Sequence, residues 1–374
     1  MHVEENVPTA RQYGTGWYLA LWSGELTEGD VVPLKYFGRD LVAFRGDSGK
    51  AFILDAHCLH MGAHLGYGGE VVGDDLMCPF HNWQWRGADG ANSNIPYLDR
   101  CIKKQLKTWL VHEQDGLIYF WFSRTGSEEP TYFPPKVIEA GRSDFYPVYP
   151  HGALKVEVTF PPQFAFENVA DLSHLRTVHK WAEVPELNGA GAYGDMFHTD
   201  LTGTVPTRSG GATVRNENWQ WGPGLIYSRL HGLHPTGQIT AATPIDHETS
   251  SYSMSVWVQR IGEGEVPVGR AKAVIEEQRR QALNAEGNDR IIWDNMVYLD
   301  NAALVGDERK TIGVHRVWFQ RFRSDTPPPT PPPIPVPEGT PYPQPTIEDD
   351  LDTASGSISE SPAVHSTAET LQGG

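Results

Sequence analysis

The stretch CLHMGAHLGYGGEVVGDDLMCPFH, residues 58–81, begins and ends with a cysteine that is followed closely by a histidine. The first pair is Cys58-x-His60 and the second is Cys78-x-x-His81, with seventeen residues between His60 and Cys78. The chain of 374 residues contains only three cysteines, so two of the three fall in this pattern. Thiolate and imidazole groups bind soft and borderline metal ions. The two pairs therefore predict a metal centre held by two loops.

The order of the ligands bears on which metal group this centre holds. A zinc site of two cysteines and two histidines is a competing interpretation, but zinc fingers pair Cys with Cys and His with His. Here each loop carries one residue of each type, so each loop can send one ligand to each of two irons. That arrangement is typical of a Rieske [2Fe–2S] centre, in which neutral imidazoles raise the reduction potential. His57 and His64 flank the ligands without a ligand role, and Cys101 has no partner in the pattern.

Length, charge and composition limit the class of protein. A chain of this length predicts two folded units, or one large unit with a tail. The net charge of −17 argues against a nucleic-acid partner, because phosphate binding needs a basic face. Three cysteines are too few for a disulfide framework, and neither a signal peptide nor a run of eighteen apolar residues is present. We expect a soluble, cytoplasmic protein without a membrane span.

The chain divides into segments of different character. Residues 1–14 form an N-terminal arm, and residues 15–125 contain short alternating runs such as GWYLALW and GLIYFWF, which predict an all-β domain. Residues 126–146 contain EEPTYFPPK, a proline-containing connection. Residues 147–324 predict a mixed domain. From residue 325 the chain is rich in proline and then acidic, which predicts a disordered tail.

The mixed domain has an α+β pattern. PPQFAFENVADLSHLRTVHK follows two prolines and is helical in period, and the runs LIYSRLHG, GQITAATPID and SYSMSVWVQR predict strands. A long helix is predicted over residues 271–298, and a last strand in HRVWFQRF, residues 315–322. We expect an antiparallel sheet with helices on one face.

The helical stretch carries a second group of possible metal ligands. On a continuous helix Glu167, Asp171 and His174 fall on one face. His179 lies five residues past His174, so both imidazoles can reach one metal only if the helix ends or bends between them. Two histidines and one carboxylate are the usual ligands of an Fe(II) that activates dioxygen. The carboxylate candidates further along the chain are Glu286, Asp289, Asp294 and Asp300.

These motifs together resemble a known family. The C-x-H and C-P-x-H pairs, with Gly62, Leu65 and Trp83, are followed by N-x-x-D-x-x-H-x-x-x-x-H, residues 168–179. This combination resembles the terminal oxygenase component of Rieske non-haem iron oxygenases. IIWDNMVY and HRVWFQRF are most similar to 3-ketosteroid 9α-hydroxylase oxygenases and their steroid-acting relatives. The resemblance covers about residues 12–324 and implies an N-terminal Rieske domain and a C-terminal catalytic domain of the helix-grip type.

The resemblance also implies the cofactors and their ligands. Cys58, His60, Cys78 and His81 would hold the [2Fe–2S] cluster. The mononuclear Fe(II) would be bound by His174, His179 and a carboxylate. D-x-x-I-W-x-N is similar to the family segment that supplies this carboxylate, which selects Asp289, with Asp294 as second choice.

Asp171 corresponds to the family's bridging aspartate, which accepts a hydrogen bond from an iron-ligand histidine and another from a Rieske histidine of a neighbouring subunit. By motif position these are His174 and His81. A homotrimer is implied, because the two metal centres of one subunit lie too far apart in this family for fast electron transfer.

The implied activity is that of a monooxygenase that inserts one atom of O₂ into a C–H bond of a hydrophobic, steroid-like substrate. Because no G-x-G-x-x-G follows a strand, electrons from NAD(P)H are expected to arrive through a separate flavin and iron–sulfur reductase. Desaturation and O-demethylation are alternatives within the family. An electron carrier or a zinc-stabilised binding module is the alternative from another class.

An aromatic run supplies candidate substrate contacts. WQWGPGLIYSRLHG contains Trp219, Trp221 and Tyr227, which are consistent with a large apolar ligand. The same run is equally consistent with a core strand, and the sequence leaves both interpretations open.

Overall fold

The structure, a computed structural model, describes residues 7–207, 210–283, 289–326 and 329–334. Its N-terminal half is all-β, as predicted. The strands there form three antiparallel sheets in the described chain. They are β1 Gly16–Trp22, β2 Val31–Tyr36, β3 Arg39–Arg45, β4 Ala51–Asp55, β5 Glu70–Val72, β6 Asp75–Met77, β7 Gln84–Arg86, β8 Asn92–Asn94, β9 Thr108–Trp109, β10 Val111–Gln114 and β11 Leu117–Phe122.

The three sheets differ in strand order, in burial and in the loops that they carry. One has the order β1-β11-β10 and is buried along β1 and β11, and a second has the order β2-β3-β4-β9. The third, with the order β5-β6-β7-β8, is built from short strands and holds the cysteine and histidine loops. The first of these loops joins β4 to β5, and the second joins β6 to β7.

The C-terminal half contains a seven-stranded antiparallel sheet with the order β12-β18-β17-β16-β15-β14-β13. The predicted α+β class, an all-β domain followed by an antiparallel sheet with helices, is therefore confirmed. The strands are β12 Ala153–Val158, β13 Glu186–Tyr193, β14 Met196–Thr207, β15 Gly210–Trp221, β16 Leu225–His231, β17 Thr236–Pro244 and β18 Ser250–Val258.

The two faces of this sheet pack against different parts of the chain, because successive side chains of a strand point to opposite faces. On one face, the His315 ring donates a hydrogen bond of 2.7 Å to Gln220 from the last helix. On the other face, the indole of Trp22 donates one of 2.8 Å to Ser255, so the N-terminal domain covers this side. The helices are α1 Pro162–Glu167, α2 Ser173–Thr177, α3 Gly269–Leu283, α4 Asp289–Trp293 and α5 Ile312–Gln320.

Two predictions of secondary structure were wrong. HRVWFQRF is the body of α5 rather than a strand, and its buried residues Val314, His315, Trp318 and Phe319 recur at helical spacing. The long helix over residues 271–298 is instead α3 and α4, because the chain leaves the helical conformation after Trp293. The residues between these two helices lie outside the described part of the chain.

Within the predicted disordered tail, residues 329–334 are described by the structure. This segment runs along the edge strand β13, where the Ile334 N–H donates to the Ala190 carbonyl at 2.7 Å. Gly191 makes the close approach possible, because a Cβ there would lie 2.3 Å from Pro333 Cβ. The rest of the predicted tail, residues 335–374, lies outside the described residues. No helix in the described chain is long and apolar enough to cross a bilayer.

Candidate metal centres

The two cysteine and histidine loops share one backbone construction. In each loop the cysteine N–H donates to the carbonyl five residues later, and the cysteine carbonyl accepts from the N–H four residues later. These two distances are 2.9 and 2.9 Å at Cys58 and 2.8 and 3.0 Å at Cys78. The fourth residue after each cysteine is left-handed, Gly62 with φ 78° and Asn82 with φ 56°. Glycine and asparagine adopt this conformation at low cost, so the loop geometry explains both residues.

This construction turns the four ligand side chains toward one place. The rings of His60 and His81 lie 4.6 Å apart, and Trp83 stacks on His60 at 4.3 Å. Trp85 donates an indole N–H to Cys58 Sγ at 3.3 Å. Burial raises the pKa of the Cys58 thiol. A thiolate here therefore needs a positive group beside it, which the iron of a cluster provides.

One buried atom also fits a bound group. His60 Nδ1 is shielded from solvent and has no hydrogen-bond partner among the described residues. A buried polar nitrogen without a partner is costly, and coordination to a metal removes that cost.

The distances among the ligands favour a two-iron group over a single zinc ion. Zinc holds sulfur and nitrogen ligands at about 2.0–2.3 Å, which places all four ligand atoms within roughly 4 Å of one another. In the part of the chain that the structure describes, the only group of three or more such ligand atoms within 4.8 Å of one another is His174, His179 and Asp289. No three of the four loop ligands meet that spacing among the described residues, so they do not form a single tetrahedral zinc site.

His174, His179 and Asp289 form the second centre. His179 Nε2 lies 3.0 Å from Asp289 Oδ2, and the two imidazole rings lie 5.2 Å apart. Helix α2 ends at Thr177, between the two histidines, which meets the geometric condition derived from their spacing. The three side chains are partly buried and come from two segments far apart in sequence.

The expected continuous helix through this stretch was wrong. α1 ends at Glu167, a 3₁₀ turn follows, and α2 begins only at Ser173. Asp171 lies in the break, where its Oδ1 accepts the N–H groups of Ser173 at 3.0 Å and His174 at 3.3 Å. A carboxylate that accepts such N–H groups stabilises the start of a helix. The predicted common face of Glu167, Asp171 and His174 is therefore absent.

Asp171 also orients an iron ligand, but with its main chain. The His174 Nδ1–H donates to the Asp171 carbonyl, and the nearer carboxylate oxygen is 3.9 Å from that nitrogen. A hydrogen bond at Nδ1 leaves Nε2 for a metal. The Asp171 carboxylate remains one-third exposed and can face another group, so its bridging role stays a prediction.

Asn168 lies between the ligands, a contact to which the sequence motif assigned no task. Its Nδ2 is 3.4 Å from His174 Nε2, and its amide also hydrogen-bonds Asp289. Burial lowers the pKa of His174. Burial alone would raise the pKa of Asp289, but hydrogen bonds from His179 and Asn168 and the nearby imidazoles hold it below its usual value. A neutral imidazole and an ionised carboxylate are the forms that bind Fe(II), so these residues fit that ion.

The structure brings Asp289, rather than the second choice Asp294, to the two histidines. Asp294 lies one turn further, where its Oδ2 is 3.4 Å from Arg290 Nε. Asp300 is exposed, and Glu286 lies outside the described residues.

The predicted substrate contacts Trp219, Trp221 and Tyr227 are all buried. Tyr227 donates its hydroxyl to Glu139 at 2.5 Å, and Trp221 stacks on Tyr132 at 6.2 Å. Tyr227 and Trp221 therefore pack against the connection segment, and Trp219 stacks on Tyr227, on the sheet face opposite the iron-site helices. These contacts favour the core-strand interpretation, and the role in substrate binding stays a prediction. Strand alternation groups these residues on one face but does not reveal which face meets the metal.

A different aromatic cluster lies beside the iron ligands. Tyr252 on β18, Phe160 and Trp293 have ring centroids 5.0–6.3 Å apart. Burial and the charge of Asp289 raise the pKa of Tyr252, which keeps its phenol neutral. Its strand was predicted from the alternation in SYSMSVWVQR, but its position beside the iron site depends on how α4 packs on the sheet.

Comparison with protein families identifies the chain. Residues 16–110 match the Rieske [2Fe-2S] domain, and residues 120–323 match the 3-Ketosteroid 9alpha-hydroxylase C-terminal domain. The chain is a Rieske oxygenase. Its N-terminal domain holds a [2Fe–2S] cluster, and membership of this family implies the mononuclear iron that His174, His179 and Asp289 fit.

Three named relatives are similar in sequence to this Rieske oxygenase. It is 36% identical to cholesterol 7-desaturase nvd of Drosophila melanogaster over 52% of the chain and 46% of that enzyme, so this match spans less than half the length of the relative. It is 28% identical to the enzyme of the same name in Hemicentrotus pulcherrimus, over 84% of the chain and 71% of that enzyme. It is 26% identical to the probable 3-ketosteroid-9-alpha-monooxygenase oxygenase component of Rhodococcus rhodochrous, over 86% and 83%.

Solved structures support the same fold. Dicamba monooxygenase bound to dicamba matches with a TM-score of 0.60 at 14% identity, over 84% of this chain and 97% of that chain. The oxygenase in its reduced complex with ferredoxin in carbazole 1,9a-dioxygenase matches with a TM-score of 0.53 at 19% identity, over 81% and 88%. At these identities the likeness concerns the fold alone.

Proposed function

We propose that this Rieske oxygenase is the terminal component of a system that oxidises a ring C–H bond of a steroid. The observation that carries the proposal is the match of residues 120–323 to the 3-Ketosteroid 9alpha-hydroxylase C-terminal domain. The relatives support the same substrate class, since their names refer to cholesterol and to a 3-ketosteroid.

Hydroxylation is the reaction that we propose first, in line with the family whose C-terminal domain matches. Desaturation is the second candidate, because the Drosophila and Hemicentrotus relatives are named cholesterol 7-desaturases. Both reactions begin by removing a hydrogen atom from a substrate carbon. They differ in whether that carbon receives a hydroxyl group or the neighbouring carbon loses a second hydrogen.

Within this proposal each group of residues has a defined task. The cluster supplies single electrons when bound, and the mononuclear iron supplies dioxygen activation. The Trp85 indole N–H donates to Cys58 Sγ and so raises the affinity of the cluster site for an electron. The Asp171 carbonyl fixes the orientation of the His174 ring, and Phe160, Tyr252 and Trp293 exclude water from one side of the ligand set.

A separate electron donor completes the proposal. Electrons would reach the cluster where His60 and His81 approach the surface, among the exposed side chains of Leu59, Met61 and Phe80. A ferredoxin is the donor in the carbazole 1,9a-dioxygenase complex. We propose a ferredoxin or a flavin and iron–sulfur reductase as donor, and a homotrimer in which electrons cross from one subunit to the next.

Product analysis with labelled dioxygen tests the function. The purified protein with its cluster and iron is supplied with a surrogate ferredoxin and reductase, ¹⁸O₂, and a panel of sterols, 3-ketosteroids, aromatic acids and alkaloids. We expect a steroid product that either carries one ¹⁸O atom, for hydroxylation, or lacks two hydrogen atoms, for desaturation. The His174→Ala variant serves as a control and should give neither product. Turnover of aromatic acids or alkaloids with no turnover of any steroid would contradict the substrate class.

A further inference from the structure

A buried ion pair lies next to the iron ligands without touching them. Glu167, the last residue of α1, is 8% exposed. The guanidinium of Arg316 on α5 donates three hydrogen bonds to its carboxylate, at 3.0, 3.1 and 2.9 Å. Glu167 immediately precedes Asn168, whose amide contacts His174 and Asp289.

The same guanidinium also holds the segment that follows Asp289. Arg316 Nη1 donates to the Leu299 carbonyl at 2.8 Å, and the guanidinium carbon lies 4.7 Å from the centre of the Tyr298 ring. Arg316 therefore joins the segment with the two histidine ligands to the segment with the carboxylate ligand.

Gln163, one turn earlier on α1, makes a second connection between the segment with the histidine ligands and the segment that follows Asp289. Its Nε2 donates to Glu167 at 2.6 Å and to the Tyr298 hydroxyl at 3.1 Å, and its Oε1 accepts from Arg323. Gln163 is fully buried. The two ligand-bearing segments thus meet through a network of side chains in which each member has several partners.

We propose that the Glu167–Arg316 pair is a positioning device that sets the spacing between the histidine ligands and Asp289, and thereby the affinity of the mononuclear iron site. Hydrogen-bonded groups behind metal ligands commonly change metal affinity by about 10–100-fold. Stability alone does not explain the pair, because well-packed apolar residues often replace a buried ion pair without loss of stability. The proposal depends on the metal-site assignment but is independent of the substrate.

The test measures metal affinity and stability separately. The mononuclear site of the full chain is emptied with a chelator under conditions that preserve the cluster, and Co²⁺ is titrated by its d–d absorbance. We expect Arg316→Lys, which keeps the charge but loses the multiple hydrogen bonds, to raise the Co²⁺ Kd by about 10–100-fold. The Rieske electron paramagnetic signal should be unchanged.

The pair Arg229–Glu139 is a matched control. It is an arginine–glutamate pair of similar exposure on the opposite sheet face, with one hydrogen bond of 2.8 Å from Arg229 Nε to Glu139 Oε1. Arg229→Lys should leave the Co²⁺ Kd within about twofold of the unsubstituted protein, with a melting temperature lowered as in Arg316→Lys. If Arg316→Lys does not fold, the double variant Glu167→Leu, Arg316→Met leaves no unpaired charge and takes its place.

Two outcomes would overturn the proposal. One is a Co²⁺ Kd for the Arg316 variant, or for the double variant, that equals that of the unsubstituted protein. The other is an equal loss of affinity in the Arg229 control, which would show that the effect follows general destabilisation. Failure of the unsubstituted protein to bind Co²⁺ would instead contradict the metal-site assignment itself, whereas the steroid assignment is tested by product analysis.

Discussion

Asp171 acts through two different parts of the residue. Its carbonyl accepts the His174 Nδ1–H, while one carboxylate oxygen accepts the N–H groups at the start of α2. An asparagine at this position keeps the carbonyl and one acceptor oxygen. It loses the negative charge that a bridge to a neighbouring His81 would use. The two tasks can therefore be separated by one substitution.

We expect Asp171→Asn to keep both metals but to lower turnover by on the order of 100-fold, because electron transfer between the two centres is slowed. Metal and sulfide analysis checks the first part, and rapid-mixing oxidation of the reduced cluster by O₂ and substrate checks the second. Asp171→Ala is the comparison, since it also removes the N–H contacts and should lower the iron content. Normal turnover in the Asn variant would show that the carboxylate does not form the bridge.

The choice between two acidic residues provides a second test at this scale. Asp289→Asn should reduce the mononuclear iron content to less than about a tenth, because an amide is a much weaker ligand than a carboxylate. Asp294→Asn is the matched control, since Asp294 pairs with Arg290 and should leave the iron in place. Iron analysis after gel filtration measures both variants. The reverse result would assign the third ligand to Asp294.

Six of the seven predicted metal ligands form pairs that are close in sequence, whereas Asp289, 110 residues from His179, was selected by resemblance to a family segment. Cys58 with His60, Cys78 with His81, and His174 with His179 are each close in sequence, and short spacings fix their local geometry. The position of Tyr252 beside the iron site could not be predicted from short spacings in the sequence. Its neighbours Phe160 and Trp293 come from distant segments, and only the packing of α4 on the sheet brings them together.

The prediction of secondary structure was limited in the same way, because packing between distant segments decides some helices and strands. The strand patterns predicted β1, β11, β16, β17 and β18 correctly, because one or both faces of each strand are buried. HRVWFQRF was misread, since its apolar residues fit an alternating and a helical period about equally well. The helix prevails in the structure because Trp318 and Phe319 both face the core, with Val314 and His315 one turn earlier.

The contact of residues 329–334 with β13 gives a prediction about an element. Removal of residues 335–374 should leave the melting temperature unchanged. Removal of residues 327–374, which keeps Asp325 and its ion pair with Arg124, should lower it by roughly 2–4 °C, because the edge strand then loses a backbone hydrogen bond worth about 1 kcal/mol. Calorimetry of both truncated proteins makes the comparison. Equal melting temperatures would show that the segment contributes nothing to stability.

Electron transfer from the cluster to the iron depends on where the two sites lie in the whole molecule. In one chain the two sites lie in different domains, the cluster on the β5–β8 sheet and the iron among helices on the face of the seven-stranded sheet that is turned away from the N-terminal domain. The family resemblance implies that the two sites of one chain lie too far apart for fast electron transfer. In the proposed trimer, the half-buried His81 of one subunit would face the Asp171 carboxylate of the next.

Mixed oligomers test this path directly. Cys78→Ser should lack the cluster and His174→Ala should lack the iron, so neither variant alone turns over substrate. Co-expressed in equal amounts, they should recover about a quarter of the normal activity, since half of the subunits hold iron and half of those have a cluster-bearing neighbour on the required side of a cyclic trimer. Native mass spectrometry establishes the mixture, and turnover per subunit gives the recovery. Inactive mixed trimers would indicate that electron transfer occurs within one chain. Each variant chain lacks either the cluster or the iron, so transfer within a chain could not restore activity.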